Sequence, residues 1–222
     1  MAYFQADFIA FFQELTENNH KTWFDSNKKR YEAVVRKPFE AFVREMIDRL
    51  RAVDSAIDIS PKDAVFRIYR DVRFARDKTP YKTHMAALIS PTGRKDQTQP
   101  GLYLQMDARE TRIYGGLYKI EKDALYRLRT HISNHPDEFQ TLLTASAFKK
   151  IFGEMQGEKN KRIPPEFAAA ATKQPLLMNK QFYYFARLEP EVILQPNLPD
   201  LVMHSYLAGK PVSDFLKRGI AA

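Results

Sequence analysis

The sequence predicts an α+β fold: a single domain over residues 1–222 in which an antiparallel β-sheet packs against several helices. Three features predict it. Apolar residues recur at helical spacing over about residues 5–53 and shift to a strand period over about 65–118. Helical spacing then returns over about 121–218, with a late strand near 182–188. The connections between the expected strands are short, which favours antiparallel pairing.

Each element has a local reason. Phe8, Phe11, Phe12 and Leu15 form one stripe, so the chain opens with an amphipathic helix, which ends near Asn18-Asn19. Thr22 to Asp25 resembles a capping box and predicts the start of a second helix. Tyr31, Val34, Val35, Phe39, Phe42, Met46, Ile47 and Leu50 continue its stripe, with Pro38 expected to kink or divide it. Beyond Pro61, Phe66, Ile68, Val72 and Phe74 alternate and predict a strand, and Met85–Ile89 predicts another. Thr92–Pro100 reads as a loop, and the runs 102–106 and 112–114 as two strands joined by a polar turn. Leu125, Leu128 and Ile132 open a helix, and Pro136 suits the first turn of the next. Residues 153–165 read as a loop, 182–188 as a strand, and the end as two helices around 202–206 and 213–218.

Composition narrows the function classes. Sixteen Phe and eleven Tyr support a real core and argue against disorder. There is no Cys, which excludes disulfides and thiolate metal sites and suits a reducing compartment. The opening stretch MAYFQADFIAFFQEL lacks a basic leader and no apolar run is long enough to span a bilayer, so a cytoplasmic protein without a membrane partner is expected. The formal net charge of +8 permits an anionic partner, either a small molecule or nucleic acid.

The most informative stretch is FRIYRDVRFARDKTPYK, residues 66–82, where six of seventeen residues are Lys or Arg. As a strand it would put Phe66, Ile68, Arg70, Val72 and Phe74 on one face, and Arg67, Tyr69, Asp71 and Arg73 on the other. Arg70 then lies on the apolar face and needs a carboxylate from another element or an anion from solution. The functional reading is a basic, aromatic groove. Arg70, Arg73 and Lys82 would bind the anion, Asp71 would orient an Arg, and Tyr69 or Tyr81 would stack or offer a hydroxyl. Arg67, Arg76 and Lys78 would extend the groove. The structural alternative is a salt-bridge network that ties the strand to a helix. Pro80 predicts a tight turn at Asp77–Lys82.

Asn18-Asn19 with Trp23-Phe24, the run Arg70-Asp71-x-Arg73-Phe74 and the run Asp77-Lys78-x-Pro80-Tyr81-Lys82 together resemble a bacterial and fungal family. That family is catalogued as domain of unknown function 2461. Gly116-x-Tyr118, followed by Leu125, Arg129 and Ile132, is similar to its next block. The resemblance covers nearly the whole chain. It implies an α+β domain and marks Asn19, Trp23, Arg70, Asp71, Arg73, Asp77, Lys78, Tyr81 and Lys82 as signature positions, with Arg129 in the later block. It carries no activity.

Other constellations are weaker. His131 and His135 have a metal-compatible spacing but lack a zinc-protease Glu, and surface histidines are the better reading. Asp71, Asp77 and Lys78 invite a metal-dependent phosphoester hydrolase or nuclease, but Asp77 and Lys78 are adjacent where such cores space the acid and the lysine by one residue. No cofactor or resident metal is expected. Trp23 reads as a core plug or a stacking group. The expected function is therefore binding of a phosphate- or carboxylate-bearing ligand. Phosphoester hydrolysis and a non-catalytic scaffold are the alternatives.

Overall fold

The structure is a computed structural model, described here over residues 2–221. Helices α1 (Ala6–Glu17) and α2 (Lys21–Arg30) lead, through a π-helical stretch at Tyr31–Arg36, into α3 (Lys37–Arg51). The cap of α2 is His20 rather than Thr22, its Nδ1 accepting the Trp23 N–H at 3.3 Å. The expected break at Pro38 takes the form of the π stretch. Pro38 has no N–H to donate and its ring crowds the carbonyl of Val34, and the wider winding just before it absorbs both effects. Arg30, near the end of α2, donates to Asp7 and Glu14 of α1 and ties the two helices together.

A short turn of helix, α4 (Pro61–Ala64), precedes β1 (His84–Ile89). Strands β2 (Leu102–Asp107) and β3 (Thr111–Leu117) follow, turned at Asp107, whose Oδ1 accepts from the N–H groups of Arg109 and Glu110. Then come α5 (Lys122–Asn134), α6 (Pro136–Thr144), α7 (Ser146–Phe152), α8 (Ala168–Lys173), β4 (Phe182–Leu188) and α9 (Leu198–Ala221). The four strands form one antiparallel sheet in the order β1-β2-β3-β4, so the fold is α+β as the sequence predicts. Among the described residues no helix is long and apolar enough to cross a membrane.

The chain divides into two units, each discontinuous in sequence. The first holds the residues up to Arg94 with Tyr103–Ile113 and Arg187–Met203; the second holds Lys95–Leu102, Tyr114–Ala186 and the residues from His204 on. In the first unit Phe4, Phe8, Phe11, Phe12, Phe24, Phe39 and Phe42 are all buried, and α3 and α4 pack against β1. In the second, Phe139 stacks on Phe215 and Phe148 meets Tyr184 edge-on.

Two expectations are corrected here. Residues 66–74 are not a regular strand. The chain is extended only to Arg70 and meets its neighbours through isolated bridges, Val65 to Ala87 and Tyr69 to Tyr81. Alternation persists that far, with Ile68 buried and Arg67 and Tyr69 exposed, but Phe74 is 95% exposed rather than on an apolar face. The C-terminal region is one continuous helix rather than two. Pro211 removes one helical donor, and close by the buried Tyr184 hydroxyl donates to the Gly209 carbonyl at 2.7 Å. Gly115 and Gly209 allow that ring in: a Cβ on either would lie 2.5 Å from it.

Candidate functional site

The run 66–82 forms an arm that folds back on itself. Its base is paired by Arg70 N–H to the Pro80 carbonyl at 2.9 Å and Lys82 N–H to the Ile68 carbonyl at 2.8 Å. Asn19 clasps the returning limb, its amide donating to the Tyr81 carbonyl at 2.9 Å and accepting the Tyr81 N–H at 3.1 Å. The side chain thus does what a neighbouring strand would do. Tyr81 is buried and stacks on Phe24 with ring centroids 4.0 Å apart. Trp23 packs against Phe11 at 5.5 Å and is half-buried. Replacing Asn19 with alanine leaves both Tyr81 backbone groups without a partner, so we expect a loss of about 2 kcal/mol in urea denaturation. Asn19→Asp, which keeps the acceptor and loses the donor, is expected to fall between.

Arg70 does not wait for an anion. Its guanidinium donates to Asp77 at 2.5 Å and to the carbonyl of Thr79 at 3.0 Å. Asp77 also accepts the Thr79 N–H, and that bond, followed by Arg70, holds its carboxyl down at about 2. Asp71 is held at about 2 by Arg73, which donates to it from two guanidinium nitrogens at 3.0 and 2.7 Å. Both acids are thus ionised and engaged with internal donors, and among the described residues no group of three or more acids and histidines could hold a metal. Lys78 donates across the arm to the Val72 carbonyl at 2.9 Å. Arg129 belongs to the second unit. It is buried there, donating to the carbonyls of Leu177 at 2.9 Å and Asn179 at 3.2 Å.

A second group of cations lies beside the arm's first limb, in an open cleft of about 520 Å³ that falls entirely within the first unit. Arg36, Glu40 and Arg44 line one wall, spaced four apart along the π stretch and α3. Lys62 of α4, Phe66 and Arg67 of the arm, and Arg94 line the rest, with Tyr31 and Met85 also contributing. Five cations therefore face one carboxylate. Arg36 is bound to Glu40 at 2.9 Å and also to Glu32, and the Arg94 Nε donates to the Val65 carbonyl at 2.7 Å. Among the described residues Arg44, Lys62 and Arg67 form no ion pair. Lys82 borders the cleft, its ammonium 5.3 Å from the Phe66 ring centre. Burial, and then the charge of Arg67, lowers it from the usual lysine value. Burial likewise raises the Tyr31 phenol, which stays protonated and donates to the Met85 sulfur.

A comparison with protein families matches residues 7–215 to the family described as conserved hypothetical protein (DUF2461). The chain belongs to that family. A comparison with curated proteins gives no match. In this DUF2461 protein, then, the sequence-predicted residues fall into two sets. Arg70, Asp71, Arg73, Asp77, Lys78 and Tyr81 make the arm and its internal bonds, Asn19 clasps it, and Trp23 packs on Phe11 of α1. Arg67 lines the cleft and Lys82 lies beside the ring of Phe66, while Tyr69 and Arg76 are exposed on the arm. Sequence reasoning missed Arg36, Arg44, Lys62 and Arg94, which come from separate elements. The one signal available was the four-residue spacing of Arg36, Glu40 and Arg44 opposite the apolar stripe of α3.

Proposed function

We propose that this DUF2461 protein binds a small anionic ligand, phosphate- or carboxylate-bearing, in the cleft between α3 and the base of the arm. The observation that carries the reading is the imbalance of charge: Arg36 is held by Glu32 and Glu40, while Arg44, Lys62 and Arg67 line the same cleft with no ion pair among the described residues. Like charges held together without partners destabilise the empty protein, and an anion relieves that cost. The planar guanidinium fork matches two oxygens of a phosphate or carboxylate. The volume of about 520 Å³ suits a small molecule, and Phe66 and Tyr31 offer an apolar wall for its remainder. Glu40, the one carboxylate among the described residues that line the cleft, is held by Arg36. The arrangement is therefore suited to binding and orienting an anion.

The test is a thermal-shift series at constant ionic strength with inorganic phosphate, a nucleoside monophosphate, a phosphosugar and citrate. At least one should raise the melting temperature in a concentration-dependent way. The rise should shrink as salt is added, since exposed charges are screened within about 8 Å at physiological ionic strength. No shift with any of the four, at millimolar concentration and low salt, contradicts the reading.

A further inference from the structure

The tip of the arm presents a second feature, outside the cleft. Phe74 is 95% exposed, more than any other large apolar side chain among the described residues. Internal bonds hold the segment that carries it: Arg70 to Asp77 at its base, Lys78 across to the Val72 carbonyl, and Asp71 to Arg73 beside it. The Arg73 guanidinium lies 6.0 Å from the centre of the Phe74 ring. Arg70 and Arg73 are neutralised by their acids, but Arg76 is exposed and forms no ion pair among the described residues. Lys78 is exposed and engages only carbonyls. Tyr69, at the foot of the arm, is a second aromatic at 48% exposure.

We propose that the arm is a contact for single-stranded nucleic acid, in which a base stacks on Phe74 and Arg76 and Lys78 meet the adjoining phosphates. An exposed aromatic with exposed cations a few residues along the same arm is complementary to an unpaired base and its backbone, because every base has a π-face and every linkage a negative charge. Arg73 stiffens the ring from one side, so the stack would be guanidinium, phenyl, base. The net charge of +8 supplies long-range attraction for such a polyanion. This contact does not depend on the cleft.

The experiment is fluorescence anisotropy with a labelled oligothymidylate of about twelve nucleotides, a length within single-strand site sizes. Binding by the full chain is expected at about 50 mM salt, weakening steeply as salt rises. Phe74→Ala should weaken it about tenfold, while Phe74→Trp keeps it and Phe74→Leu, apolar but not aromatic, does not. Arg76→Gln and Lys78→Gln should each weaken binding and reduce the slope of affinity against salt by about 0.7. For the Phe74 and Arg76 variants, whose side chains are exposed and hold no internal bond, unchanged melting temperatures are the expected control. The proposal is overturned if the wild type does not bind the oligonucleotide, or if Phe74→Ala or Phe74→Leu binds like the wild type. Phe74-dependent adsorption to phosphatidylserine–phosphatidylcholine vesicles without oligonucleotide binding also overturns it, and would assign the arm to a membrane surface.

Discussion

Replacing Arg129 with methionine is expected to destabilise the protein by about 3 kcal/mol, seen as an earlier urea midpoint with an unchanged slope. Arg129 is 5% exposed and, among the described residues, forms no ion pair. Burial lowers its pKa, with no opposing contribution, so the charge sits there at a cost. The compensation is two charge-assisted bonds, to the carbonyls of Leu177 and Asn179, which fix the chain just before β4. Methionine fills similar space but donates nothing, leaving two buried carbonyls unmatched. Lysine keeps the charge but lacks the fork that reaches both carbonyls, so Arg129→Lys should recover only part of the loss. If Arg129→Met unfolds like the wild type, the clamp is not what orders that segment.

Acid is expected to weaken the fold before any carboxylate brace is touched. His84 opens β1 and is half-buried, and its pKa is lowered to about 4, chiefly by burial and then by Lys82. Arg112 pushes the same way and Asp107 opposes. The unfolded chain protonates this histidine near 6.5, while the folded chain keeps it neutral down to about 4. Between those values the unfolded state binds more protons, so stability falls as pH is lowered and is level again below about 4 as far as His84 is concerned. A shift of that size corresponds to about 3 kcal/mol between neutral pH and pH 4. His131, lowered by burial and by His135, contributes in the same direction, so the comparison is with His84→Gln, which should flatten most of the slope. The Asp71 and Asp77 braces behave differently. Both carboxyls are held down at about 2, so their contribution is full above the ordinary carboxylate value and is lost only as pH falls toward 2.

Much of the fold was legible because packing and local pattern agree. Phe8, Phe11, Phe12 and Leu15 face one core and make α1; β4 occupies residues 182–188, where the alternation placed it. The arm misled because a bridged, extended segment alternates like a strand for as long as it stays paired, here to Arg70. Whether it continues depends on the Arg70–Asp77 bond and on the bends at Arg73, Phe74 and Arg76, which hydrophobic period does not register; Pro80, where a turn is expected, lies instead on the returning limb opposite Arg70. The long α9 was obscured by Pro211, a residue that ends most helices and is tolerated here next to a carbonyl capped from a distant strand. Of the charged run 66–82, Arg67 is the cation that also lines the cleft. Arg36, Arg44, Lys62 and Arg94 converge only through folding, and distance along the chain conceals such convergence.

The central claim is that the cleft's cations are held for an anion rather than for the fold. The most direct measurement is the double variant Arg44→Gln with Arg67→Gln, followed by melting temperature and by titration with whichever anion shifts the wild type. Removing two unpaired positive charges from one hollow should leave the melting temperature of the empty protein unchanged or higher, and should abolish the ligand-induced rise. A lower melting temperature with the ligand response intact contradicts the claim, and would make Arg44 and Arg67 part of the scaffold.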